Sequence, residues 1–203
     1  MLKTWINPKY LDENEIKKIR ENFKKAKPYP NFVLHDFFNK SKLLGLKKTV
    51  LMERFEKQDK DLFSFSQTKE LSHSKNKIVQ EFFSLLSSNV FLSLIENLTG
   101  QKNLANADMH AHLYAQGDYL LFHDDVVEGR KIAYIAYLSD LKPIDGGSLR
   151  MFNIKAPLQP AKKITPRFNS FACFKVSGES LHDVEEAKSN KKRLTVGGWF
   201  NGD

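Results

Sequence analysis

From Asp108 to the C-terminus the chain breaks into short apolar-alternating segments separated by turn residues, and this pattern limits the fold more than anything else in the sequence. Eight such segments are readable, near 109–115, 119–125, 131–138, 148–153, 157–165, 169–176, 180–185 and 193–200. Gly117-Asp118, Glu128-Gly129 and Asp145-Gly146-Gly147 mark turns between them. Eight strands following a helical block predict an α+β protein built on a jelly roll, a double-stranded β-helix of cupin-like form, with the N-terminal helices packed on one sheet.

The first hundred residues read as mainly helical support. Asp12 and Glu15 have capping-box spacing ahead of Ile16, Ile19 and Phe23, so a helix is predicted up to Lys27-Pro28. Asn31 to Phe38 is rich in strand formers, and Leu43, Leu46, Val50 and Leu51 resume a helical stripe to about Phe55. One long helix is expected from Lys77 to Leu98, stopped by Gly100. Between them Glu56 to Asn76 reads as a polar, turn-like connection carrying Leu62, Phe63 and Phe65 as substrate anchors or as pins to the core.

At 203 residues and 41% hydrophobic, the chain is long enough for one globular domain, residues 1–107 supporting a jelly-roll core of 108–203. The single cysteine, Cys173, excludes an intramolecular disulfide and a multi-cysteine zinc site. No run of apolar residues predicts a membrane span and no signal pattern opens the sequence, so a cytoplasmic protein is expected. The net charge of +8 comes from lysines dispersed through helices and loops, which predicts a solvated basic surface without sequence-specific nucleic-acid binding.

Within the strand region, Tyr119 to Asp125 holds His123 and Asp125 two residues apart. Strand alternation places Tyr119, Leu121, His123 and Asp125 on one face and Leu120, Phe122 and Asp124 on the other. A histidine and a carboxylate at this spacing, joined by a distant histidine, form the facial triad that holds non-haem Fe(II) with positions left open. His182, 57 residues after Asp125, is the candidate third member. Eleven residues further on, Arg193 opens the last strand, with Thr195 on its face. A guanidinium beside a hydroxyl binds a carboxylate in bidentate fashion, and Tyr137 on another strand is positioned to add a third hydrogen bond.

Other titratable residues read as ordinary. His110 and His112 form a second metal-like pair, but no carboxylate or arginine follows at useful spacing, so both are expected to be structural. His35 and His73 have no partner in sequence, and Asp124, on the wrong face, is expected to pair with a surface lysine or arginine.

The stretches His123 to Leu138, Asp145 to Leu149, Ser180 to Glu185 and Arg193 to Phe200 resemble the 2-oxoglutarate- and Fe(II)-dependent prolyl hydroxylase superfamily. Within it, Asp61-Leu-Phe-Ser-Phe-Ser-Gln-Thr-Lys-Glu-Leu71 resembles the branch that hydroxylates a proline of a small-subunit ribosomal protein. The resemblance runs over about residues 30 to 200. It implies that His123, Asp125 and His182 bind Fe(II), that Arg193 and Tyr137 bind the far carboxylate of 2-oxoglutarate, and that Tyr114 lies near that cosubstrate. It also implies O2 as co-reactant, ascorbate as an accessory, and a protein substrate, which in that branch is ribosomal. Eukaryotic members of the branch carry a second, degenerate jelly roll, and the present sequence reads as the catalytic one alone. Two other classes stay open: an oxygenase of a small molecule or free amino acid, with a closed charge-lined pocket, and a non-catalytic cupin-like binding module.

Overall fold

The structure, a computed structural model, describes residues 1–203. Five helices are α1 (Leu2–Trp5), α2 (Glu13–Lys25), α3 (Lys40–Val50), α4 (Lys77–Leu86) and α5 (Asn89–Thr99). Twelve strands follow the chain as β1 (Asn31–His35), β2 (Phe55–Lys60), β3 (Phe63–Thr68), β4 (Leu104–Ala107), β5 (His110–Tyr114), β6 (Tyr119–His123), β7 (Arg130–Tyr137), β8 (Leu149–Asn153), β9 (Ala156–Ile164), β10 (Ser170–Lys175), β11 (His182–Val184) and β12 (Arg193–Gly202). All pair antiparallel in the order β1-β10-β7-β12-β5-β3-β6-β11-β8-β9, with β2 added to β3 and β4 to β12. This curled sheet with helices on one side is the jelly-roll architecture that the strand pattern predicts.

Alternation along three central strands divides the side chains between two cores. Ile132, Tyr134 and Ala136 of β7, Phe171 and Cys173 of β10, and Leu194, Val196 and Phe200 of β12 face the helices. They form one cluster with Phe82 of α4 and with Phe91, Ile95 and Leu98 of α5. Phe171 is its hub, stacked on Phe37 at 4.6 Å between ring centres and edge-on to Phe38 and Phe91. The intervening residues Ala133, Tyr137, Ala172 and Phe174 point the other way and pack against Leu149, Met151 and Ile164, closing one half of the roll on the other.

The helices form where periodicity and caps agree. Asp12 accepts from the Glu15 amide at the start of α2, as the capping pattern predicts. The expected helix from Lys77 to Leu98 is two helices that meet at 51°, with Ser87-Ser88 at the break. Ser88 caps α5 through the Phe91 amide, so a residue that competes for backbone hydrogen bonds starts a new helix where apolar periodicity alone would continue the old one. The third helix ends at Val50, and Phe55 opens β2.

The segment Glu56 to Asn76 is not an irregular connection. It forms the β2–β3 hairpin, in which Lys60 pairs with Phe63 across a two-residue turn at Asp61-Leu62. β3 then pairs with both β5 and β6 and bridges the two halves of the roll. Buried Asp118 fastens it there, accepting from Lys57, Ser64 and the Ala115 amide. Phe-Ser-Phe-Ser-Gln-Thr alternates as a strand should, but the charges of its partner β2 mask it in a reading by composition. Strand β4, too short to stand out at four residues, is held by β12.

Candidate active site

The mouth of the roll gathers residues from β3, β5, β6, β11 and β12. His123, Asp125 and His182 lie together, with one donor atom from each within 4.8 Å of the others. Nε2 of His123 is 3.4 Å from Oδ1 of Asp125, and Nε2 of His182 is 3.4 Å from its Oδ2. Each imidazole turns its Nδ1 to the carbonyl two residues earlier: His123 to Leu121 at 2.9 Å and His182 to Ser180 at 2.7 Å. Those bonds assign the proton to Nδ1 and aim both Nε2 lone pairs inward, the arrangement that orients a metal-binding histidine.

The backbone reaches this geometry by a route that simple alternation does not give. His182 pairs with His123 and Val184 with Leu120, so two steps on β11 match three on β6 and a bulge falls at Leu121-Phe122. The bulge turns Leu120 and His123 to the same side, where both line the pocket, and leaves Leu121 and Phe122 exposed. Leu121 therefore does not share the face of His123, and Leu120 is inside. β6 ends at His123, and Asp125 sits beyond it with φ of 65°, in the left-handed region. That conformation is uncommon for a residue with a Cβ, though tolerated by Asp, and it brings the carboxylate round to the histidines. Asp124 makes no ion pair and instead accepts from the Val126 amide at 3.0 Å, tightening the same turn.

Charge within the site suits a cation. Burial works to raise the Asp125 carboxyl, but the adjacent His182 and then His123 imidazoles outweigh it and hold the carboxyl below its ordinary value. Burial, then the neighbouring His182, lowers His123 and so favours the neutral ring that a metal needs.

Deeper in the pocket, Arg193 is 2% exposed. Its guanidinium carbon lies 4.8 Å from the Tyr114 ring centre and 5.6 Å from that of Tyr137, and Nη1 approaches Thr195 Oγ1 at 3.4 Å. No carboxylate pairs with it, and both its Nε and the Tyr137 hydroxyl are buried without a hydrogen-bond partner. Burial raises the pKa of Tyr137 against the opposing charge of Arg193, so the hydroxyl is a donor at neutral pH. An unpaired buried guanidinium is costly, on the order of 3–5 kcal/mol when a partner is removed, and with two orphaned donors it describes a site built for an anion.

Comparison with known proteins follows the same line. Residues 109–201 match the model of the 2OG-Fe(II) oxygenase superfamily. The prolyl 3-hydroxylase OGFOD1 of Xenopus laevis is 35% identical over 181 residues, covering 86% of this chain and 35% of that protein. Residues 109–201 form a 2OG-Fe(II) oxygenase domain. The prolyl 3,4-dihydroxylase OGFOD1 of Ostreococcus tauri is 34% identical over 197 residues, covering 86% of this chain and 38% of its own length. The chain thus spans little more than a third of the curated relatives it matches. Among solved structures, a Pseudomonas putida prolyl-4-hydroxylase superposes with a TM-score of 0.74 at 17% identity, covering 93% of this chain and 99% of that one. A Trichoplax adhaerens prolyl hydroxylase, solved with a peptide of hypoxia inducible factor, superposes with a TM-score of 0.75 at 15% identity, covering 100% and 96%.

Oxygenases of this superfamily use Fe(II), 2-oxoglutarate and O2, and the donor set here fits them. Two neutral imidazoles and a carboxylate suit Fe(II), and the orphaned Arg193 and Tyr137 donors suit a dicarboxylate. Three pocket residues escape a reading by motif. Trp199 continues the Arg193, Thr195, Gly197 face of β12 and carries a buried, unpartnered indole N–H. Gln67 lies on the hidden strand β3, and His112, expected to be structural, lines the pocket. His110 does have a structural partner, Glu70 at 3.3 Å, supplied by a distant segment. His35 is satisfied by Ser170 at 2.8 Å. Phe65 is buried against Tyr114 at 5.1 Å and lines the pocket, Phe63 is half-buried beside it, and Leu62 stands exposed at the hairpin tip.

Proposed function

We propose that this chain is a 2-oxoglutarate- and Fe(II)-dependent dioxygenase that hydroxylates a peptidyl proline, with a small-subunit ribosomal protein as its substrate. The observation that carries the reading is the His123, Asp125 and His182 cluster lying in one pocket with an unpaired, buried Arg193. In this reading His123, Asp125 and His182 hold the metal, while Arg193, Tyr137 and Thr195 hold the far carboxylate of 2-oxoglutarate with Tyr114 against the guanidinium. When bound, Fe(II) and 2-oxoglutarate supply the oxidising power, O2 being consumed and succinate and CO2 released as the substrate C–H bond is hydroxylated. Leu120, Val184 and Phe174 wall the pocket with apolar surface and keep bulk water from the reacting centre.

A protein substrate is favoured by the rim. Leu121, Phe122, Val126 and Val127 are each 41–55% exposed beside the metal-ligand candidates, and Leu62 lies next to Leu121, whose amide donates to the Leu62 carbonyl. The Arg130 guanidinium stacks on Trp199, its carbon 3.3 Å from the ring centre. Exposed apolar side chains clustered at a mouth suit an extended polypeptide better than a free amino acid. The curated relatives named as prolyl hydroxylases support the same class. Mass spectrometry of small-subunit ribosomal proteins from cells with and without this enzyme tests it. A proline carrying one extra oxygen only when the enzyme is present is expected, and identical spectra would send the search to other substrates.

A further inference from the structure

Cations around β8, β9 and the loop before β12 are matched by acids: Arg150 with Asp183 at 2.6 Å, Lys163 and Lys188 with Glu185 at 2.7 and 3.1 Å, and Lys191 with Asp145 at 3.0 Å. A different arrangement holds where α2 and α5 end. The Lys24 and Arg20 side chains lie over Gly100, the left-handed residue that closes α5, and exposed Lys102 follows two residues later. Lys24 and Lys175, the last residue of β10, line one cleft with Thr99, Gly100 and Gln101. Lys175 pairs in register with Ile132, and the Val176 amide donates to the Lys131 carbonyl at 3.0 Å, so Arg130 and Lys131 at the start of β7 lie at this same end. Of these cations only Lys24 has an acidic partner, Glu21 at 3.8 Å.

A cation over a helix C-terminus offsets the helix dipole, which accounts for Arg20 and Lys24. It does not account for Lys102, Lys131 and Lys175, which stand on a loop and at strand ends. Like charges gathered without acids repel one another, and an anionic partner relieves that repulsion. The cleft carries none of the large exposed apolar side chains that a protein interface packs at its centre. A partner held by charge alone, through release of its counterions, is a nucleic acid strand. We infer that this end of the molecule, from the α2–α5 cleft to Arg130, binds the phosphate backbone of single-stranded RNA without regard to sequence. Arg130 stacks on Trp199, which lines the active-site pocket, so the bound strand passes beside the mouth. The choice of RNA rests on the ribosomal substrate proposed above, because a protein of the ribosome lies among RNA. The basic surface itself does not depend on that reading.

Fluorescence anisotropy with labelled RNA strands of two unrelated sequences, and DNA strands of the same sequences, tests the inference without any protein substrate. If about four phosphates are neutralised, affinity for RNA should fall roughly fiftyfold between 50 and 200 mM salt, a log–log slope of about −2.8. RNA should bind at least as tightly as DNA. Joint replacement Lys24→Gln, Lys102→Gln and Lys175→Gln should weaken both RNA sequences alike, by about tenfold, and make the slope shallower by about 2. Tm and succinate formation should not change, since all three side chains are exposed and lie outside the pocket. Removing the same charge elsewhere, by Lys40→Gln, Lys48→Gln and Lys69→Gln, should leave binding nearly intact. Equal loss in that control would reduce the effect to net charge and overturn the surface, as would no binding at 50 mM salt. Tighter binding of DNA, or displacement of RNA by polyglutamate at equal charge, would assign the surface to another partner. Failure of the ribosomal reading shows separately, as an unmodified ribosomal proline with RNA binding intact.

Discussion

His182→Ala is expected to abolish 2-oxoglutarate turnover and to weaken Fe(II) binding by more than about a hundredfold, since even loss of a residue supporting a ligand costs roughly 10- to 100-fold. The fold should survive. The β11 backbone remains paired on both sides, with β6 and with β8, and outside the cluster with His123 and Asp125 the imidazole makes an edge contact with Phe174 at 4.7 Å and a bond to its own strand's approach. Metal titration, succinate formation and a melting curve on one preparation check the prediction. Full turnover in the variant would remove His182 from the ligand set.

The second large effect belongs to Arg193. Arg193→Lys keeps the charge but loses the planar fork, and an ammonium cannot reproduce its paired donors. Affinity for 2-oxoglutarate should fall by about 2 kcal/mol, roughly thirtyfold, with Fe(II) binding little changed. The substitution also exposes the reason the site needs an anion. The guanidinium is buried between Tyr114 and Tyr137 with no acidic partner, so the protein bears the cost of an uncompensated charge until a carboxylate arrives. An unchanged titration would leave Arg193 a structural role.

Much of this was legible in the chain because short runs of strand-forming residues bounded by turn residues are a strong signal. All eight segments read between 109 and 200 correspond to strands β5 to β12, and Arg193 and Thr195 share a wall as their spacing requires. The misses have separate physical causes. Charges in Phe55–Lys60 concealed a strand whose apolar partner, Phe63–Thr68, carries the alternation. A bulge at Leu121-Phe122 and a positive φ at Asp125 reset the phase of β6, and neither leaves a glycine to mark it. His123 and Asp125 meet because of that irregularity, although the regular strand assumed for them would also have placed them on one face. His112 looked isolated because its neighbours Gln67 and Thr195 come from strands 45 residues before and 83 after it, a register that only the folded sheet supplies.

The most direct test of the proposed chemistry is a reaction under isotopically heavy O2 with a proline-containing segment of the small-subunit ribosomal protein, followed by mass spectrometry of both products. One heavy oxygen on the proline ring and one in succinate, formed in equal amounts, are expected, and neither with His182→Ala. Succinate released at the same rate with and without the peptide, and no label on proline, would contradict the proposed chemistry.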